Sequence, residues 1–177
     1  FRTVGRDDQQ GPAVAQYLAA EVKPKTVAII DEATAYGEGL ANEVEKTLKA
    51  AGIKVLPREK GTDKTADWKA VLTKVKGKKP DAIFYGGMDA TAGPLLKQGR
   101  ELGIKVVFAF GDGACTNTMK DLAGDAAEVA FAGDRAVKHG VADDHAFLRH
   151  DSGRRVRPHD QLAAREALAD VVVGVAF

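Results

Sequence analysis

The sequence predicts an α/β protein built on a doubly wound parallel sheet, and three observations carry that reading. Short apolar runs at Thr26–Ile30, Ile53–Leu56, Ala82–Tyr85 and Val106–Phe110 alternate with stretches of helical period. The connections between them are a few residues long. Glycines follow three of the runs, at Gly37 and Gly39, at Gly86 and Gly87, and at Gly111 and Gly113. Continuous apolar runs bounded by turn residues fit strands buried on both faces. Strand–helix alternation with right-handed crossovers then gives a parallel sheet between two helical layers. The expected strand order over residues 26–132 is 2-1-3-4-5, flavodoxin-like, with Glu128–Ala132 as the fifth, edge strand.

Each element has its own local signal. Phe1–Val4 is short and β-prone, and Gly5–Gly11 supplies a turn with capping acceptors. Pro12 fits a first helical turn, and Val14, Tyr17, Leu18 and Val22 recur at helical spacing. Lys23-Pro24 ends that helix, because the residue before proline is pushed out of the helical region. Gly37 and Gly39 open a helix whose apolar face is Leu40, Val44, Thr47 and Leu48, with Gly52 at its C′ position. Pro57–Thr65 reads as a polar, solvent-exposed loop. Asp67 caps a helix carrying Trp68, Val71, Leu72 and Val75, which stops at Gly77 and Pro80. A helix over Pro94–Leu102 closes at Gly103, and Met119–Leu122 forms a short helical turn. Trp68 reads as a core residue.

Composition narrows the function. The chain has 177 residues, enough for one domain with a real core, and a formal net charge of +1. So small a charge offers no whole-molecule field for nucleic acid or an anionic membrane, and no nucleic-acid partner is expected. The single cysteine, Cys115, excludes an internal disulfide and any multi-cysteine zinc site. No apolar stretch approaches the roughly 18 residues of a spanning helix. The chain carries no signal peptide and begins at Phe1, so it reads as a processed protein or a fragment.

In an open α/β sheet the ligand crevice lies at the carboxyl ends of the strands. Three loops share that edge: Asp31–Asn42, Gly86–Thr91 and Gly111–Asn117. Tyr36 stands before two glycines that let backbone approach a ligand closely, so its ring or hydroxyl is a contact candidate; a surface tyrosine packed on its own helix is the bland alternative. Met88 and Asp89 are the first side chains after the Gly86-Gly87 pair, with Asp89 or Thr91 equally suited to capping the next helix. Asp112, between two glycines and next to Phe110, suits pairing with an ammonium group or hydroxyls; its alternative is a solvated turn aspartate. Gly37-Glu-Gly39 lacks the third glycine of a dinucleotide fingerprint, and no cofactor is expected. Cys115 has no histidine before His139 in sequence, so a Cys-His nucleophile is disfavoured. His139, His145, His150 and His159 show no i, i+4 pairing, and no metal site is expected from them.

Several segments together carry a family likeness: Phe1–Gly11, Tyr36-Gly-Glu-Gly-Leu-Ala41, Asp67–Lys74, Pro80-Asp-Ala-Ile-Phe-Tyr-Gly-Gly87 and Leu122–Glu128. In order and spacing they resemble the second lobe of periplasmic branched-chain amino acid binding proteins, the substrate-binding components of ABC importers with the type I periplasmic-binding fold. The resemblance covers residues 1–134. It implies a non-enzymatic, periplasmic receptor whose two lobes close on a leucine, isoleucine or valine-like ligand and which delivers it to a membrane permease. It also implies that Tyr36 packs against the ligand and that Asp112 accepts hydrogen bonds from its ammonium group. Met88 falls where family members can carry an aromatic residue over the ligand side chain, which leaves side-chain preference open. The lobe that normally holds the ligand carboxylate is absent from this sequence, so the half-site should bind weakly and the uncovered surface should self-associate, through Phe1–Val4 or Val171–Phe177. Residues 135–177 form an Arg/His-rich tail that does not match the family, read as a frame-shifted or truncated continuation, with a helix at 160–173. Two other classes stay open: a flavodoxin-like enzyme or receiver module using Asp31, Asp112 and Cys115, and a ligand-sensing lobe of a regulator.

Overall fold

The computed structural model describes residues 5–127 and the backbone of 174–176. Helix α1 (Asp7–Tyr17) runs on through a wider turn at Leu18–Val22 and stops at Lys23, whose φ of 53° is left-handed. Then come β1 (Thr26–Asp31), α2 (Ala35–Ala50), the short strands β2 (Lys54–Val55) and β3 (Glu59–Lys60), and α3 (Lys69–Gly77). After these follow β4 (Ala82–Gly86), α4 (Asp89–Glu101), β5 (Val107–Phe110), a 3-10 turn at Asp112–Ala114, α5 (Asn117–Ala123) and β6 (Gly174–Ala176).

The sheet order is β2-β1-β4-β5-β6, parallel from β2 to β5, so the expected order of the first four predicted strands holds. The predicted strand at Glu128–Ala132 and helix at 160–173 lie outside the described residues. Beside β5 the structure places β6, antiparallel, with Phe110 opposite Gly174 and Phe108 opposite Ala176. The apolar run at the C-terminal end of the chain thus pairs with β5 over these three residues.

Strand alternation sorts side chains into two cores. Val27, Ile29, Phe84 and Ala109 face α1 and α2, packing on Val14, Leu18, Leu40, Val44 and Leu48. Ile30, Ile83, Tyr85, Phe108 and Phe110 face α3, α4 and α5, packing on Trp68, Leu72, Leu95, Leu96 and Met119. Trp68 is fully buried, and its ring meets Tyr85 edge-on at 5.5 Å, as a core residue should. Both sheet faces are covered, which is why the strands read as continuous apolar runs.

Three sequence expectations need correction. Helices α1 and α4 begin five residues before Pro12 and Pro94, so neither proline sits in the first turn. Each follows a glycine, and a residue without Cβ escapes the clash that normally keeps a pre-proline residue out of the helix. The same glycines let neighbouring helices approach closely: a Cβ on Gly11 would stand 2.6 Å from Glu43 Cβ, and one on Gly93 2.5 Å from Leu122 Cβ. Pro57–Thr65 is not simply an exposed loop. Glu59 and Lys60 pair with Ile30 and Asp31, and Arg58 turns inward with its side chain 16% exposed, bonding Asn42 and Glu45 and approaching Asp31 at 3.4 Å. Finally, Gly37 and Gly39 do not open α2. Thr34 caps it by accepting from the Gly37 N–H at 3.0 Å, and both glycines are covered by neighbouring backbone or side chains.

Candidate functional site

The three loops do open on one edge, and the structure brings two of the expected residues into direct contact there. Tyr36, in the first turn of α2, donates its hydroxyl hydrogen to Asp112 Oδ1 at 2.7 Å. The Tyr36 hydroxyl oxygen in turn accepts the Gly113 N–H at 3.2 Å. Two glycines make this possible. A Cβ on Gly111 would stand 2.6 Å from the Tyr36 hydroxyl, and one on Gly113 would stand 3.1 Å from Tyr36 Cε1. The second Asp112 oxygen, Oδ2, shows no hydrogen bond among the described residues and is left to meet another donor.

Met88, the N-cap residue of α4, stands beside this pair. A Cβ on Gly113 would lie 2.6 Å from its sulfur, so Met88 and Tyr36 meet over the Gly113 backbone. Met88 is 47% exposed, one of two large apolar side chains so exposed among the described residues. A flexible thioether next to a phenol ring and a carboxylate suits an amphipathic small molecule. Asp89 is not part of this group. It accepts the Ala90 N–H at 2.8 Å and the Thr116 hydroxyl at 2.7 Å, which ties the start of α4 to the loop before α5.

Two residues that the sequence reading passed over are built into the site. Gln10, from α1, is 1% exposed, and its Oε1 accepts the Asp112 N–H at 3.3 Å and lies 3.2 Å from the Tyr36 hydroxyl. Gln10 left no signal in the sequence, since its burial and its partner Asp112 are visible only in the fold. Glu32 is 2% exposed at the end of β1 and gathers donors from two loops. Asp31 is wholly buried, with Oδ1 accepting the Ala33 N–H and Oδ2 facing Arg58, which leaves it poorly placed as a phosphoryl acceptor. Cys115 Sγ contacts the Gly111 carbonyl at 3.4 Å. The four histidines lie outside the described residues.

Burial, and then the Asp112 carboxylate, pushes the Tyr36 hydroxyl well above the ordinary tyrosine range. Burial raises Tyr85 and Tyr17 in the same direction. These are all three tyrosines of the chain. A raised phenol stabilises the fold below the unfolded pKa of about 10 and ceases to do so as pH rises through the folded value. Tyr36 and Tyr85 should therefore contribute to the tyrosinate band only together with loss of far-UV ellipticity, which leaves half-buried Tyr17 as the one tyrosine able to ionise in the folded protein. Ionisation of two or more tyrosines near pH 10 with the far-UV ellipticity unchanged would contradict the buried phenols of Tyr36 and Tyr85.

A parallel α/β lobe with a hydroxyl–carboxylate pair and an exposed apolar side chain at the strand ends is an arrangement suited to binding a small molecule. The comparisons give the family: residues 1–149 match the periplasmic binding protein family, and the chain belongs to it. It is 39% identical over 126 residues to the Leu/Ile/Val-binding protein homolog 1 of Brucella abortus, covering 71% of this chain and 34% of that protein. It is 36% identical over 132 residues to the leucine-, isoleucine-, valine-, threonine- and alanine-binding protein of Pseudomonas aeruginosa, covering 75% and 35%. Among solved structures it resembles the leucine-binding protein LivK of Thermotoga maritima, with a TM-score of 0.69 and 26% identity over 71% of this chain and 36% of that one. It also resembles the branched-chain amino acid transporter substrate-binding protein LivJ of Streptococcus pneumoniae in complex with isoleucine, with a TM-score of 0.63 and 27% identity over 68% and 34%. The chain spans about a third of the length of the curated relatives it matches.

Proposed function

We propose that this chain is one lobe of a two-lobed periplasmic receptor for branched-chain or related amino acids, the substrate-binding component of an ABC importer. The observation that carries the reading is the Tyr36–Asp112 pair at the carboxyl edge with Met88 exposed beside it. Asp112 Oδ2 accepts from the ligand ammonium group, the Tyr36 ring packs against the ligand, and Met88 lies over its aliphatic side chain. The second lobe supplies the contacts to the ligand carboxylate, and closure of the two lobes buries the amino acid. The receptor works by binding rather than catalysis, and hands its ligand to a membrane permease. Asp89 acts one step back, holding the loop of Met88 to that of Thr116.

A half-site forfeits the contacts of the other lobe, so the affinity of this chain alone should be millimolar rather than micromolar. Titration with L-leucine, followed by amide chemical shifts, should move Tyr36, Met88 and Gly113 progressively. Shifts confined to other residues would sink the site, and micromolar affinity would sink the half-site. The surface that a second lobe covers is left open, so the chain should self-associate. Light scattering should show a mean mass that grows with concentration, and a strict monomer throughout would contradict this.

A further inference from the structure

Glu32 is a buried carboxylate with no ion pair among the described residues. Its partners are hydroxyls and one backbone N–H, and they come from both sides of the crevice. Oε1 accepts the Thr34 hydroxyl at 3.1 Å. Thr34 is the cap of α2, the helix that carries Tyr36 in its first turn. Oε2 accepts the Met88 N–H at 3.0 Å and the Thr91 hydroxyl at 2.7 Å. The Tyr85 hydroxyl completes the group, 2.7 Å from Thr91 Oγ1 and 3.2 Å from Glu32 Oε2. Tyr85 is fully buried and Thr91 is 3% exposed, so water cannot take the place of these bonds.

The loop is shaped to this carboxylate. A Cβ on Gly87 would stand 2.6 Å from Glu32 Oε2 and 2.5 Å from the Tyr85 hydroxyl. The glycine pair after β4 therefore serves close approach to Glu32, which leaves Met88 as the first side chain pointing clear of it. We infer that Glu32 is the positioning residue of the crevice: one carboxylate fixes both the cap of the Tyr36 helix and the backbone of Met88, and so sets the gap into which a ligand side chain fits. Its bearing on ligand choice rests on the amino acid site proposed above, whereas its hold on Met88 does not.

Glu32→Gln keeps the shape but offers one acceptor oxygen where two now serve four donors. The chain has two methionines, so a methyl-labelled sample gives two signals, with buried Met119 as an internal reference. In ligand-free protein the Met88 amide proton should move upfield and the Met88 methyl signal should shift, while Met119 stays in place. Folded Glu32→Gln protein with Met88 signals identical to the parent would overturn the assignment. If that variant does not fold, Thr91→Val removes a hydroxyl bonded to Glu32 at constant volume, and the same signals should move by less; unchanged Met88 signals there would overturn it equally. For ligand choice, the ratio of L-leucine to L-valine affinity should change by about fivefold or more in Glu32→Gln, whereas loss of folded protein would weaken both ligands by one factor. A parent chain that responds to neither amino acid would refute the amino acid reading, and the methyl spectra would still decide the role of Glu32.

Discussion

Replacing Asp112 with alanine should abolish the leucine-dependent shifts at Met88 and Gly113. A hydrogen bond to a charged group contributes about 1.5–3 kcal/mol, and removing its acceptor leaves the ligand ammonium group facing an apolar surface. The loss is then roughly a hundredfold in affinity, which carries a millimolar site beyond detection. Asp112→Asn separates charge from shape. It keeps an oxygen for the Tyr36 hydroxyl, which now bonds Oδ1 at 2.7 Å, while removing the charge that an ammonium group would seek. Binding should fall nearly as far as in the alanine variant although the Tyr36 contact survives. Because the carboxylate is one of the causes that raise Tyr36, its hydroxyl should also titrate at lower pH in Asp112→Asn than in the parent. If Asp112→Asn binds leucine as the parent does, the carboxylate is not the ammonium acceptor.

Alanine at Gly86 should be among the most destabilising single-methyl additions in the chain. Its Cβ would stand 2.5 Å from the Gly37 carbonyl oxygen, and a Cβ on Gly37 would meet the Gly86 carbonyl oxygen at the same 2.5 Å. Both obstacles are backbone, one held in a strand and the other in a helix, so neither can swing aside. Overpacking of this kind costs about 3 kcal/mol. Gly37→Ala should cost less, because alanine recovers up to about 1 kcal/mol of helix propensity. Since the two substitutions fill one gap, the double variant should lose less than the sum. Gly77→Ala, near the end of α3 with nothing within 4 Å of the added methyl, is the control and should be neutral or slightly stabilising. Urea unfolding midpoints at constant slope check all four. A Gly86→Ala midpoint equal to that of Gly77→Ala would refute the backbone contact that seats the Tyr36 helix on β4.

The fold was legible where period and burial agree. The strands β1, β4 and β5 are apolar on both faces because helices cover both, and their order followed from short crossovers. The edge was less legible. β3 is two charged residues long, and its place beside Ile30 and Asp31 comes from the Arg58 ion pairs and the Gly61 N–H donating to the Asp31 carbonyl at 2.8 Å, none of which leaves a periodic trace. Gly-Pro pairs misled the helix starts, since proline is ordinarily a first-turn signal. At the site, the loop positions of Tyr36, Met88 and Asp112 could be read from strand ends alone. Gln10 and Glu32 could not, because a buried polar side chain reveals itself only through its partners. Those partners are Asp112, 102 positions away from Gln10, and Met88, 56 away from Glu32.

The split outer strand has a consequence for how this chain behaves in a crowded compartment. β2 pairs with β1 at Thr26 and Val27, β3 pairs with it at Ile30 and Asp31, and between them residues 56–58 stand opposite only residues 28–29, a bulge of one residue. Lys54, Glu59 and Lys60 stud this border, with Lys60 paired to Glu38. A passing extended segment needs several consecutive free N–H and C=O groups, in register, to add itself as a new strand. Two dipeptides separated by a bulge provide no such template. This border of the sheet is therefore a poor template for strand-by-strand growth, and association of the chain with itself would have to involve another part of its surface.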